Sequence, residues 1–221
     1  MAMSLRVVVP PHPLIAHWLT LLRDKSTPSP LYATAMGELG RWLTYEAMRD
    51  WLPQRQVEVE TGLASSPGTV VDPAVPLLCV PLLRGGLGLW QGGQQVVPSA
   101  RVAHMVLEPL ASGVAHHWLL DTLPASIGER VGVLLFIGSI ATGRSALALL
   151  ERLGELKVSG DRLRLITTLA AGPGLTAIGE VVPDLTIYCS CIDGELDALQ
   201  RPVPGIGELS SRLYGTGGSS V

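Results

Sequence analysis

The chain has 221 residues, of which 47% are hydrophobic and 16% charged, and these values fit one α/β domain with a sizeable core. Its net charge of −3 and its pI near 5.9 provide no basic surface for nucleic acid, so nucleic acid is not an expected partner. No apolar run reaches the roughly 18 residues that a membrane-spanning helix needs. The first residues also lack the ordered regions of a signal peptide, so a cytoplasmic location is the default expectation.

A mean hydropathy of +0.36 indicates that some apolar surface is covered by another subunit or a protein partner, although a well-filled core would give the same value. Cys189 and Cys191 lie two positions apart on a predicted strand, so they share a face and cannot easily pair. Cys79 lies inside another apolar run. We therefore expect three buried, reduced thiols and no disulfide or metal site.

Strand-like and helix-like runs alternate along the chain. The apolar spacing predicts, in chain order, helices at 12–23 and 31–51, strands at 57–61 and 75–80, a helix at 87–95, strands at 101–107 and 131–137, a helix at 145–154, a strand at 163–169, a helix at 175–181 and a strand at 185–192. This alternation is typical of a mostly parallel sheet covered by helices on both faces. Ligands of such sheets collect at the carboxyl ends of strands, so the candidate loops follow residues 80, 107, 137, 169 and 192.

Residues 131–150 read as a buried strand, a tight turn and a helix that begins near Ser145. Thr142, Gly143 and Arg144 then fall at the helix N-terminus, where unpaired N–H groups and the helix dipole favour an anion. Gly143 permits close approach of the backbone, and the hydroxyls of Thr142 and Ser145 add donors. No acid precedes this loop, since residues 136–140 are Phe, Ile, Gly, Ser and Ile. The segment therefore predicts phosphate binding more strongly than catalysis.

The motifs of the whole chain, taken in order, resemble those of the uracil phosphoribosyltransferase family along nearly its full length. No single motif is specific, but their shared order and spacing are. The motifs are HPLIAHWLTLLRD at 12–24, LTYEAMRD at 43–50, VEVETGL at 57–63, VPLLRGGLGL at 80–89, PSARVAH at 98–104, IATGRSA at 140–146, IYCSCID at 187–193 and VPGIGELSSRLYGT at 203–216.

The resemblance implies a type I phosphoribosyltransferase-like α/β fold: a mostly parallel sheet flanked by helices, with a small C-terminal hood over the base. It predicts one domain over 1–221, a hood at about 195–216, a flexible tail at 217–221 and a homodimer. Active members transfer phosphoribose from phosphoribosyl pyrophosphate, as its magnesium complex, to uracil, and so make UMP and pyrophosphate. Mg²⁺ is accordingly expected only together with phosphoribosyl pyrophosphate.

The same resemblance assigns two anion subsites. The 5′-phosphate loop would be formed by Ala141, Thr142, Gly143, Arg144 and Ser145. Arg84 and Gly85 would contact the pyrophosphate, because a guanidinium fork suits bidentate phosphate binding and glycine permits close approach. Two alternatives stay open: the glycine after Arg84 serves only a tight turn, and Arg144, where relatives often have glycine, points only into solvent.

Two elements depart from the family pattern. Ile137 stands where the family has an aspartate that holds the ribose hydroxyls, and the loss of such a bond costs on the order of 1.5 to 3 kcal/mol. The loop at 108–123 has exchanged the family's charged lid residues for mostly apolar ones, so it resembles an amphipathic contact segment. Neighbouring His116 and His117 point to different faces and have no further ligand nearby, which argues against a metal site.

The hood also departs from the family. The resemblance places Ile192, Pro202, Gly207 and Glu208 at the base. Pro202 has no N–H to donate to uracil, Glu208 is longer than the family's aspartate, and Ser211 replaces a second acid. Asp193, Pro204, Gly205 and Arg212 do match, and the alternative is that they only preserve the turns of the hood.

The departures at separate elements all predict reduced catalysis, because glycosyl transfer depends on positioning the ribose, leaving group and base in line. The leading hypothesis is a degenerate relative with weak or no catalysis, which retains a phosphate or nucleotide pocket and acts in regulation or as a scaffold through an apolar surface. The alternative is an active uracil phosphoribosyltransferase that serves pyrimidine salvage. A nucleotide-regulated RNA-binding role is disfavoured by the acidic balance. No catalytic residue is assigned.

Overall fold

A computed structural model describes residues 5–72, 74, 76–109 and 116–216. Its helices are α1 (Pro13–Arg23), α2 (Ser29–Met48), α3 (Gly85–Val96), α4 (Arg144–Glu155), α5 (Gly172–Val181) and α6 (Leu209–Tyr214). Its strands are β1 (Arg6–Val8), β2 (Gln54–Glu60), β3 (Ser65–Val71), β4 (Leu77–Leu83), β5 (Arg101–Val102), β6 (Met105–Pro109), β7 (His116–Asp121), β8 (Gly132–Ile137), β9 (Leu163–Thr167), β10 (Ala170–Ala171), β11 (Thr186–Tyr188), β12 (Ile192–Asp193), β13 (Glu195–Leu196) and β14 (Pro202–Val203).

The main sheet has eight strands in the order β1-β11-β9-β8-β4-β6-β7, with β5 beside β4. Its neighbours are parallel except for β7, which runs antiparallel to β6 at the edge. The prediction of a mostly parallel sheet flanked by helices is therefore confirmed. Short pairs, β10 with β12 and β13 with β14, form separate two-stranded sheets.

The sheet separates two apolar layers, because side chains alternate along its central strands. Leu134 and Phe136 of β8 face the layer that α1, α2 and α3 cover. Val133, Leu135 and Ile137 face the opposite layer, which also contains residues of α4 and α5. All six residues of β8 are buried, as expected for a central strand with helices on both faces.

Three predicted strands differ from the structure in more than a shift of their bounds. The strand at 101–107 is interrupted at residues 103–104, and the break lies opposite Pro81, which has no N–H for the ladder. The strand at 185–192 ends at Tyr188, after which residues 189–191 continue as a connection to β12. The strand at 57–61 is part of an antiparallel hairpin of β2 and β3 outside the main sheet, and its second strand was not predicted.

The prediction of three buried cysteines is wrong for one of them, and the lid segment at 108–123 contains a strand that was not predicted. All three cysteines are free, but only Cys79 and Cys189 are buried, whereas Cys191 is half-buried. In the lid, 110–115 lie outside the described residues. The following residues form the edge strand β7, in which Trp118 packs against the α4 side of the core and Leu119 is 57% exposed. Within the described ranges, no helix is long and apolar enough to cross a membrane.

Candidate functional site

The candidate site lies where the sheet reverses its direction of winding. After β4 the chain crosses through α3 toward β6, whereas after β8 it crosses through α4 toward β9. The carboxyl ends of β4 and β8 therefore border a crevice at the topological switch point, which is where open α/β sheets bind ligands. Gly85 after β4 and Gly138 after β8 meet there, since a Cβ on Gly138 would lie 3.0 Å from the Gly85 Cα.

The phosphate loop follows β8 and ends in α4. Gly143 has a left-handed φ of 82°, and a Cβ there would lie 2.9 Å from the Gly174 carbonyl oxygen of α5, so both the conformation and the space require glycine. Within the described part of the chain, the N–H groups of residues 142–146 have no backbone acceptor. These groups border a cavity of about 100 Å³ lined by residues 137 and 139–146. We call it the phosphate-loop cavity, and it contains all five predicted phosphate residues.

Arg84 and Gly85 stand at the other side of the crevice. Arg84 is exposed at the N-cap of α3, with its guanidinium carbon 5.9 Å from the ring centre of Tyr214. The Tyr214 hydroxyl donates to the Arg84 carbonyl at 2.9 Å, so the hood helix α6 supports this loop. A Cβ on Gly85 would lie 2.8 Å from a methyl carbon of Leu209, the first residue of α6. The absence of a side chain at Gly85 therefore allows the start of α3, the turn after β8 and the helix α6 to pack together.

A buried ion pair holds the hood to the domain. Asp193 is 3% exposed, and its carboxylate lies 2.7 Å from Nη2 of Arg23 on α1. The backbone N–H of Gly205 donates to the same carboxylate at 2.9 Å. Arg212 adds a second attachment, since it donates to the carbonyls of Leu22 and Ile206 and stacks on Tyr32 at 4.3 Å. These contacts support the alternative in which Asp193, Gly205 and Arg212 preserve the structure of the hood.

Between the hood and the sheet lies a second cavity of about 270 Å³, the hood cavity. Its lining residues are Ser139, Leu169, Asp197, Arg201, Pro202, Val203, Pro204, Ile206 and Gly207. Ser139 lines both cavities, so the phosphate-loop cavity and the hood cavity meet at this residue. The two cavities are therefore neighbours: one borders the N–H groups at the start of α4, and the other lies under the hood.

The four predicted base residues divide into two pairs. Pro202 and Gly207 line the hood cavity. Ile192 is 48% exposed on β12, where it pairs with Ala170, and it is not a lining residue. Glu208 is the N-cap of α6 and accepts from the N–H groups of Ser210 and Ser211, so the structure gives it a capping role.

Sequence reasoning missed Ser139, Leu169 and Asp197 as lining residues. Asp197 organises the hood turn: it accepts from the N–H groups of Leu199 and Arg201 and from Nε of Arg201 at 2.7 Å. Hydrogen bonds from Arg201 hold the pKa of Asp197 below its ordinary value. The only sequence signal was its place within the predicted hood at about 195–216.

Ile137 closes the floor of the site between the two anion loops. It is the last residue of β8, is 4% exposed and lines the phosphate-loop cavity. The described residues contain no group of three or more His, Cys, Asp or Glu side chains that could hold a metal ion.

Glu208 lies near Arg84. Burial acts to raise the pKa of Glu208, but hydrogen bonds from Ser211 and the positive charge of Arg84 lower it overall.

This fold is that of the type I phosphoribosyltransferases. A hypoxanthine phosphoribosyltransferase structure from Staphylococcus aureus, 16% identical, covers 81% of this chain and 89% of that chain with a TM-score of 0.51, which supports the fold alone. The structure of the AQ2163 protein from Aquifex aeolicus is more similar, with a TM-score of 0.83, 27% identity and coverage of 94% of this chain and 97% of that one.

Sequence comparison identifies the family. The family model for uracil phosphoribosyltransferase matches residues 9–216. The uracil phosphoribosyltransferase of Synechococcus elongatus is 44% identical over 216 residues, which cover 98% of this chain and 100% of the relative. The chloroplastic uracil phosphoribosyltransferase of Arabidopsis thaliana is 34% identical over 210 residues, which cover 95% of this chain and 71% of the relative. The chain belongs to the uracil phosphoribosyltransferase family.

Proposed function

We propose that the chain is an active uracil phosphoribosyltransferase, which makes UMP and pyrophosphate from uracil and phosphoribosyl pyrophosphate. The observation that carries this proposal is that the two cavities are neighbours and share Ser139 as a lining residue, because a nucleoside monophosphate needs an anion subsite beside a base subsite. The relatives that match nearly the whole chain carry the same name. They support this alternative better than the leading prediction of a degenerate protein.

In this proposal each loop has one task. The N–H groups at the start of α4 bind the 5′-phosphate, and Arg84 and Gly85 bind the pyrophosphate. Uracil occupies the hood cavity. The bond from the ribose C1 to the pyrophosphate oxygen breaks, and pyrophosphate leaves with its electron pair. A bond forms from uracil N1 to C1, and the N1 proton passes to solvent water. The protein contributes mainly position and charge.

Mg²⁺ enters this proposal as part of the substrate complex with phosphoribosyl pyrophosphate. The donor set of the site fits that role, since Arg84 and the N–H groups of the phosphate loop bind anions. When bound, the ion neutralises charge on the pyrophosphate.

A second candidate function is binding without turnover, in a regulatory or scaffolding role with a protein partner on an apolar surface. Ile137 favours it, because this buried aliphatic side chain gives the ribose hydroxyls no acceptor. Pro202 favours it as well, since a lining residue of the hood cavity has no N–H to offer the base.

One assay separates the two candidates. The chain is incubated with uracil, phosphoribosyl pyrophosphate and Mg²⁺, and UMP and pyrophosphate are quantified over time. We expect equal amounts of both products at about one turnover per second or faster. The variant Arg84→Met should lose most of this rate, whereas Arg101→Met, an exposed arginine on β5 that lines neither site cavity, should retain it. Binding of UMP without turnover would favour the second candidate.

We also propose that the chain works as a cytoplasmic homodimer. The β2–β3 hairpin carries Leu63, which is fully exposed, and Val71, which is 53% exposed. Beside it, a groove of about 680 Å³ between the hairpin and α2 is lined by Tyr45, Met48 and Val70 among others. A second copy that covers this surface would remove the exposed apolar area. Light scattering of wild type and of Leu63→Asp with Val70→Asp should give a dimer and a monomer, respectively.

A further inference from the structure

Residues 137–139 lie between the two cavities, and we call them the wall. They offer few polar groups to a sugar. Ile137, a buried aliphatic residue, lines the phosphate-loop cavity, and Ser139, which has one hydroxyl, lines both cavities; Gly138 between them has no side chain. The position follows from the fold, because β8 ends at Ile137 and the next residues turn from the sheet into the phosphate loop. A sugar that joins a phosphate in the loop to a base under the hood must pass this wall.

Among the described residues, those that line the two cavities include a single carboxylate, that of Asp197. Asp197 lies in the hood turn, and its oxygens already accept from Arg201 Nε and from two backbone N–H groups. Its acceptor capacity is therefore committed to the turn. The remaining polar side chain on the wall, Ser139, can make a neutral hydrogen bond only.

A sugar hydroxyl that donates to a carboxylate makes a charge-assisted bond, and a site built around such a bond rejects analogues that lack the hydroxyl. An aliphatic wall behaves differently, because it gains nothing from the hydroxyl and leaves no group of its own unpaired when the hydroxyl is absent.

We infer that the sugar subsite of this chain does not select strongly for the 2′-hydroxyl, so that 2-deoxyribose 5-phosphates bind with affinities within about tenfold of those of ribose 5-phosphates. The inference rests on the proposed function, which places the phosphate in the loop and the base in the hood cavity. It extends the ligand class of the site to deoxyribonucleoside monophosphates.

Calorimetric titration of the full chain tests the inference with two matched pairs of ligands: UMP against dUMP, and ribose 5-phosphate against 2-deoxyribose 5-phosphate. The second pair has no base and reports on the sugar and phosphate alone. We expect the affinities within each pair to differ by less than tenfold, because one neutral hydrogen bond to Ser139 contributes less than about that factor. A preference of tenfold or more for the ribose ligand of either pair would overturn the inference while leaving the proposed function intact. Failure of all four ligands to bind would overturn both.

Two variants locate the effect. Ile137→Asp should raise the preference for UMP over dUMP to tenfold or more, since it places an acceptor on the wall. Ser139→Ala should leave the preference of the wild type below tenfold. Circular dichroism checks that each variant is folded. If Ile137→Asp does not fold, Ile137→Asn places a neutral acceptor at the same position and should raise the preference by a smaller factor. An unchanged ratio in a folded variant would mean that Ile137 does not face the hydroxyls, and the inference would fail.

Discussion

Removal of the Asp193 carboxylate should both destabilise the chain and weaken the binding of UMP under the hood. The carboxylate is almost fully buried, lies 2.7 Å from Arg23 Nη2 and accepts the Gly205 N–H at 2.9 Å. In Asp193→Ala the buried Gly205 N–H loses its acceptor, which costs about 1 to 3 kcal/mol. Arg23 retains the Gly205 carbonyl at 3.1 Å, and its side chain is 26% exposed, so its loss is smaller than that of a fully buried charge.

We therefore expect the free energy of unfolding to fall by about 3 kcal/mol and the melting temperature by about 6 to 12 °C for a chain of this length. Urea denaturation measures the first quantity and calorimetry the second. The control is Glu155→Ala, which breaks the exposed pair with Arg152 on α4 and should cost less than about 0.5 kcal/mol. Because the Asp193 carboxylate contacts Arg23 and the hood residue Gly205 but not the phosphate loop, UMP should bind more weakly to the folded variant while inorganic phosphate binds as before. A stability loss below about 1 kcal/mol would refute the reasoning.

Three further changes test other parts of the fold. Gly143→Ala should weaken the binding of inorganic phosphate at least tenfold in calorimetric titration, because its Cβ meets the Gly174 carbonyl at a φ of 82°; Gly154→Ala, which has open space around it, should bind phosphate normally. Glu208 has a pKa below its ordinary value of 4.5, so its capping contribution is present above that pH and is lost as the pH falls through the lower folded value; urea midpoints of Glu208→Gln should accordingly fall less steeply between pH 5 and pH 3 than those of the wild type. Arg164→Met removes hydrogen bonds from β9 to Asp50 and Tyr188 and should lower the free energy of unfolding by about 2 kcal/mol in urea, against less than about 0.5 kcal/mol for the exposed Arg49→Met.

The elements with strong local signals were predictable from the sequence. The aliphatic run before Gly138 and the small residues after it place β8, the phosphate loop and α4 within one or two residues of their bounds. Helix α5 begins at Gly172 rather than at 175, because Pro173 fits the first turn of a helix and extends it toward the N-terminus. Strand β3 was missed because its sequence, SSPGTVV, contains Pro and Gly and lacks alternation.

The site was predictable only in its local part. Residues 141–145 are contiguous, so one segment contains all the residues proposed to bind the phosphate, and all five line one cavity. The hood cavity joins residues from after β8, after β9 and from the C-terminal segment, and its membership depends on tertiary packing rather than on any local pattern. Ser139 is the clearest case: nothing local distinguishes it, and its importance arises from the meeting of the two cavities. Likewise, the sequence left two roles open for Asp193, and its partner Arg23, 170 positions away, indicates the structural one.

Ile137 belongs both to the core and to the wall of the site. The core favours an apolar side chain at this position, whereas binding of sugar hydroxyls favours a hydrogen-bond acceptor. An aspartate there would lose apolar contacts and take a carboxylate out of water, which destabilises the empty chain by about 2 to 5 kcal/mol. A ligand with sugar hydroxyls would return part of that free energy, because it binds the folded state only. We therefore expect Ile137→Asp to unfold at lower urea concentration than the wild type without ligand, and to gain more from saturating UMP. Isoleucine at this position stabilises the chain without ligand, and in our inference it leaves the sugar subsite with little selectivity for the 2′-hydroxyl.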